Sequence, residues 1–184
     1  MAIVINGSGT ITGISVGGLP DGSVTADDIA STLDLSGKTI TNMNPSGIYL
    51  GGTGAANYLD DYETGTWTPT ATDGSLSYQK TTYIKIGSAV HVSGLIEGFT
   101  SSSGIAMEVS GLPFTSASNQ LSAGSLFFRY VNHSHDQLSL YMPSSSNIFQ
   151  MWSSNKDGAY AHVLYSQLQS GHTIFFQLTY YTDA

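Results

Sequence analysis

"HTIFFQLTYYT" at 172–182 decides the fold class. Ile174, Phe176, Leu178 and Tyr180 fall on one side of an extended chain, and Phe175, Gln177, Thr179 and Tyr181 on the other. Successive side chains of a strand point to opposite faces, so this period-2 pattern describes a half-buried antiparallel strand. The same pattern recurs upstream. "SAVHVSGLIEG" aligns Val90, Val92 and Ile96 against His91, Ser93 and Glu97. "IAMEV" sets Ile105, Met107 and Val109 against Ala106 and Glu108, and "QLSLYM" groups Leu138, Leu140 and Met142. "LFFRYV" at 126–131 is apolar on both faces, as expected of a strand covered by the core on one side and a neighbouring subunit on the other.

Turn chemistry separates these runs: "DGS" (73–75), "TSSSG" (100–104), "PSSSN" (143–147), "SNKDG" (154–158) and "QSG" (169–171). Strands are expected near 66–71, 76–86, 89–97, 105–110, 121–131, 137–142, 148–152, 160–165 and 173–182. Regular spacing of this kind predicts an all-β, antiparallel sandwich of jelly-roll type over residues 67–184. A unit of about 118 residues buries roughly two-thirds of its unfolded-chain surface and forms its own core.

Upstream the pattern fails. Residues 1–34 place Gly between short β-branched pairs, with "LPDG" at 19–22 as a turn. One short helix is expected after Thr25, with Val24, Ile29 and Leu33 as its apolar contacts. A helix of about two turns is marginal alone and needs a partner surface. Residues 35–66 read as an extended joint or stalk. The expected organisation is therefore a docking segment (1–34), a joint (35–66) and a distal domain (67–184).

Composition bounds the function. The net charge is −8, charged residues make up 10% of the chain, and there is a single arginine. A nucleic-acid groove needs Lys and Arg to neutralise phosphates, which excludes that class here. A polybasic membrane contact is excluded on the same ground, and no apolar run reaches the roughly 18 residues of a membrane span. Zero cysteines remove disulfides, thiol catalysis and thiolate metal sites.

"YLGGTGAANYLDDYETGTWTP" at 49–69 raises phosphate and metal readings. No lysine lies between Lys38 and Lys80, so a Walker-type loop is absent. Gly52 and Gly54 supply only part of a dinucleotide fingerprint. Asp60, Asp61 and Glu63 lack the alternating ligands of a calcium loop and read as an acidic turn. Pro69, without an N–H, suits the start or edge of a strand, and Trp67 is expected to pack at the base of the distal domain. Paired carboxylates for glycan hydrolysis are not recognisable, nor is a GxSxG elbow, so no enzyme is expected.

The stretch 49–69, together with "INGSGTITGISVGGLPDG" at 5–22, "YIKIGSAVHVSG" at 83–94 and "VSGLPFTS" at 109–116, resembles segments of small fibre and appendage proteins of tailed bacteriophages. The resemblance implies a homotrimer on the virion exterior. Its N-terminal part would dock to another virion protein, and the stretch ending in "GTWTP" would lead into a distal β-domain. The implied role is host attachment by non-covalent binding to a surface glycan or protein. The alternative is a head fibre or capsid decoration protein with a structural role.

Within that frame Tyr130, Tyr141, Trp152 and Tyr160 are the candidate receptor contacts, with Trp152 and Tyr160 flanking "SSNKDG" foremost. "NHSHD" at 132–136 carries His133 and His135 two residues apart, on one face if either strand continues. Three copies on a threefold axis would offer six imidazole nitrogens, enough for an octahedral metal ion. Some trimeric fibre tips resemble this in using His-x-His to hold iron, although they tend to repeat the motif. The other reading is a polar hairpin turn. No other cofactor is expected.

Overall fold

The computed structural model places the chain from Asn44 to Ala184 in one compact unit. It describes residues 47–51, 54–59, 61–133 and 136–183. The expected docking contacts Val24, Ile29 and Leu33 lie outside the described residues.

A small ribbon opens the described chain. β1 (Ile48–Tyr49) pairs with β2 (Tyr58–Leu59) around a 3₁₀ turn at Ala55–Asn57. The remaining strands form one antiparallel sheet: β3 (Tyr62–Gly65), β4 (Thr70–Ala71), β5 (Tyr78–Ile86), β6 (Ala89–Glu97), β7 (Glu108–Ser110), β8 (Ser122–Val131), β9 (Gln137–Met142), β10 (Phe149–Ser154), β11 (Ala161–His162) and β12 (Leu168–Tyr181). Their spatial order is β3-β5-β6-β12-β8-β9-β10-β7-β4, with β11 paired to β10. The fold is thus all-β and antiparallel, and the sheet is curled.

Two observations show why it must curl. The outermost strands β3 and β4 are consecutive in sequence, joined only by Thr66–Pro69. Five Cα steps from Gly65 to Thr70 reach at most about 18 Å. Nine strands laid flat would separate the same edges by about 38 Å, at roughly 4.8 Å per strand. Likewise Phe149 on β10 and Phe176 on β12 are three strands apart along the sheet, yet their ring centroids are 5.1 Å apart. Their rings meet because the two halves of the sheet face each other across one core.

The corner is β8. Residues 125–131 of this strand pair with β12, and residues 122–124 pair with β9. Gly124 sits at the change of partner, where a Cβ would lie 2.5 Å from the Gln177 carbonyl. Only glycine permits that approach.

The alternating residues fill the core as their spacing requires. Val90, Val92, Ile96, Leu140, Met142, Met151, Ile174, Leu178 and Tyr180 are fully or almost fully buried. Ile105 departs from its expected face. Met107 and Val109 are buried, but Ile105 is 53% exposed, because regular pairing begins only at Glu108 and the preceding chain bends. β5 keeps one alternation throughout, with Thr81, Tyr83 and Lys85 on the inner face. Ile84 and Ile86 point outward, while Lys85 points inward, ion-paired with Asp61 and 5.4 Å from the Phe114 ring centroid.

Tyr62–Gly65 lies in the stretch expected as joint, yet it is an edge strand paired with β5 through Tyr62↔Ile86 and Gly65↔Tyr83. Trp67 follows it into the core. Its ring meets Phe176 edge-on at 6.1 Å, and the Thr81 hydroxyl donates to its carbonyl. Pro69 is buried immediately before β4. Gly111, at φ +88°, lets the Thr68 carbonyl pass where a Cβ would stand 2.5 Å away.

Two tyrosines tie loops to the core. The Tyr165 hydroxyl donates to the Glu108 carbonyl (2.8 Å), and the Thr72 amide donates to it (3.2 Å). The Tyr180 hydroxyl donates to the Phe114 carbonyl (3.0 Å), and burial pushes its pKa up to about 12. His172 is buried against Phe99. Its Nε2 accepts from the Phe99 amide (2.9 Å), so Nδ1 carries the proton that reaches the Gln169 carbonyl (2.8 Å).

Trp67→Ala is expected to destabilise the domain by about 3–5 kcal/mol through the cavity it leaves. Trp67→Phe should cost much less, because the indole N–H has no hydrogen-bond partner and its removal relieves a buried orphan. Urea unfolding of both variants measures the difference.

At the 73–75 turn the Ser101 and Ser103 hydroxyls donate to Asp73 Oδ2 at 2.5 and 2.6 Å. These bonds, that of Ser101 foremost, hold the carboxyl below its ordinary value of 3.8. A depressed folded-state pKa contributes stability that is present above the unfolded value and lost as pH falls through the folded one. Asp73→Asn should therefore shift the unfolding midpoint at pH 6, with the difference shrinking as pH drops below about 4.

Candidate functional site

The outer face of β7, β9, β10 and β11 carries a polar-aromatic cluster. Alternation in "FQMWSS" buries Phe149, Met151 and Ser153 and turns Gln150, Trp152 and Ser154 outward. In "QLSLYM" it turns Ser139 and Tyr141 outward. Register does the rest. Gln150 stands opposite Tyr141 and Glu108, and Trp152 opposite Ser139 and His162.

Four neighbours hold Trp152. Its Nε1–H donates to Gln150 Oε1 (3.0 Å), and the Gln150 amide donates onward to Glu108 Oε1 (2.6 Å). Tyr141 meets the indole edge-on at 5.9 Å, and Tyr160 does so at 5.0 Å. His162 lies over it with ring centroids 3.7 Å apart. Edge-to-face aromatic contacts of this kind add about 0.5–1.5 kcal/mol each beyond burial. Beside these rings opens a cavity of about 490 Å³ whose walls include Leu121, Ser139, Tyr141, Trp152, Ser154 and Tyr160. None of the residues lining it is charged. The Tyr160 ring is 71% exposed on its rim.

Three of the four expected contact residues, Tyr141, Trp152 and Tyr160, therefore come together, and Tyr130 does not join them. Tyr130 sits at φ +57° where the β8–β12 register shifts, with the Arg129 guanidinium 5.2 Å from its ring centroid. Glu108, Gln150, Ser139 and His162 belong to the cluster without having been singled out from sequence. Their signal was positional: Gln150 lies two residues from Trp152 on one strand and therefore shares its face.

The carboxylates of the described residues are held singly. Asp61 pairs with Lys85, and Glu63 accepts from the Tyr83 hydroxyl (2.9 Å), which raises that phenol's pKa. Glu97 accepts from the Thr173 hydroxyl (2.9 Å), and Asp136 accepts from the Lys156 amide (3.1 Å). Asp60 lies outside the described residues. Of the two histidines proposed for an axial metal, His135 lies outside the described residues as well. His133 packs edge-on against Phe128 at 5.3 Å, and its Nδ1 is buried without a partner. Among the described residues no group of three or more His, Asp or Glu is placed to hold a metal ion.

A second outer face, across β5, β6, β12 and β8, carries an exposed aromatic pair beside a polar row of Thr82, Ser93, Gln177 and Ser125. Leu95, Phe175 and Phe127 stand side by side on three neighbouring strands, and the Phe127 and Phe175 rings are 6.0 Å apart. Phe127 is 72% exposed, and Ile84, Ile86, Phe175 and Tyr181 are also exposed. Glu97, Thr173 and Arg129 form a hydrogen-bonded polar group at one end of this face. Comparison with protein-family models, with curated proteins and with solved structures finds no match to this chain.

The cluster is a surface fixture, and its removal should leave the core standing. Trp152→Ala is expected to cost about 1–2 kcal/mol through lost ring contacts, well below the cost at Trp67. Chemical denaturation of the two alanine variants side by side checks the ranking.

Proposed function

We propose that this chain is a virion structural protein of a tailed bacteriophage: a homotrimeric, fibre-like appendage, exposed on the particle, that contributes to host attachment by non-covalent binding. It works without catalysis. The assignment to phage appendages rests on the resemblance of the segments ending in "GTWTP" and "VSGLPFTS". In this reading residues 1–34 dock to another virion protein, and the curled sheet is a distal domain of sandwich or jelly-roll type.

The observation that carries the reading is the contrast between two outer faces of one sheet. On β9–β11 the aromatics are braced around a cavity, which suits contact with a ligand. On β5–β6–β12–β8 they are unbraced and flat, which suits burial against another copy. Subunit contacts commonly cover exposed aromatic side chains that pack only on each other, as Phe127 and Phe175 do. Phe127 in "LFFRYV" is the residue that a neighbouring subunit would cover.

Light scattering of the full chain is expected to return about three times the 19.4 kDa chain mass. Phe127→Glu with Phe175→Glu should shift it to the monomer while far-ultraviolet circular dichroism stays unchanged. A wild-type monomer would reject the trimer. Labelled protein is expected to bind host cells. Binding to purified capsids alone would favour the head-fibre or decoration role instead.

A further inference from the structure

Resting on that attachment reading, we propose that the cavity beside Trp152 binds neutral pyranose sugars. Its volume of about 490 Å³ falls within the roughly 300–1,000 Å³ of small-ligand sites. The chemistry of its walls narrows the class. No charged side chain lines it, so a carboxylate, sulfate or phosphate would be desolvated there without a counter-charge. Ser139 and Ser154 contribute hydroxyls, and Tyr141, Trp152 and Tyr160 contribute rings. A pyranose matches both, with an apolar C–H face for a ring and a rim of hydroxyls for serines.

The rings are preorganised. The Glu108–Gln150–Trp152 hydrogen-bond chain fixes the indole, and Tyr141 and Tyr160 stand edge-on to it. Holding a platform rigid before the ligand arrives lowers the entropic cost of binding. Because Nε1–H is already engaged, Trp152 offers its ring and not its donor. Gln150 is accordingly a positioning residue. An extended peptide is a poorer fit. β10 has strand neighbours on both sides, and β9 is paired with β8 over Leu140–Met142, so little of the cavity floor offers a backbone ladder to add to.

Saturation-transfer NMR on the full chain tests this with methyl glycosides of glucose, galactose, mannose and rhamnose, and with glucuronic and galacturonic acids as charged counterparts. At least one neutral glycoside is expected to receive saturation at its ring C–H protons, at least fivefold more than either uronic acid. Trp152→Ala and Tyr160→Ala should abolish the signal. Gln150→Leu should weaken it severalfold with the unfolding midpoint little changed. Should Trp152→Ala fold poorly, Tyr160→Ala still decides, since its ring is mostly outside the core. Silence from all four neutral glycosides, equal transfer to the uronic acids, or signal surviving in Tyr160→Ala would overturn the proposal. Loss of cell binding in Tyr160→Ala without any glycoside signal would defeat the sugar and spare the attachment reading. Glycoside signal from a protein that binds only capsids would do the reverse.

Discussion

A four-residue tether sets the shape of this domain. Thr66–Pro69 joins the two outermost strands of the sheet, so those edges can never be farther apart than the chain between them can stretch. Trp67 occupies the middle of that tether and enters the core beside Phe176. One residue thereby fills space between the two halves of the sheet while its own backbone holds their edges together. The Thr81 hydroxyl on its carbonyl and the close approach of Thr68 to Gly111 fasten the tether on both sides. With the edges fastened, the strands between have to bend, and Gly124 on β8 is where one strand changes partner at close backbone approach.

The bend also sorts the surface. The inside holds aliphatic and aromatic side chains from both halves of the sheet. The outside is divided at the β8 corner. On one flank the exposed rings have only each other and solvent, and on the other they are locked by hydrogen bonds and edge contacts. That difference is one of local partners rather than composition. Phe127 and Phe175 have no polar handle, whereas Trp152 has an N–H that Gln150 captures.

The strands were readable because most of them are half-buried, and half-burial writes a period of two into the residues. "HTIFFQLTYYT" and "QLSLYM" place their buried residues where the alternation puts them. Where another force intervenes, the pattern misleads. In "TTYIKI" Thr81, Tyr83 and Lys85 share the inner face, where Asp61 pairs with the lysine, so the isoleucines face out. Ile105 obeys the bend before β7 rather than the alternation beyond it. Pairing order was not readable at all, since nothing local in "YETG" says that its partner is β5 or that it closes an edge. The cluster around Trp152 was half legible. Its large rings stand out in the sequence, but the amide, carboxylate and imidazole that brace them are ordinary residues until register brings them side by side.

The place of β12 has a kinetic meaning. It lies between β6 and β8, yet it follows both in the chain. β6 and its partner are joined across intervals such as Val92 to Leu178, so the largest loop closures come after nearly all the chain exists. On a ribosome adding about 5–20 residues per second, β6 and β8 would each wait several seconds for their second neighbour. During that wait their exposed edges and apolar faces are open to the same strands of other nascent chains. The sheet therefore cannot close until β12 has emerged, and crowding many copies on one message favours misassembly during that wait.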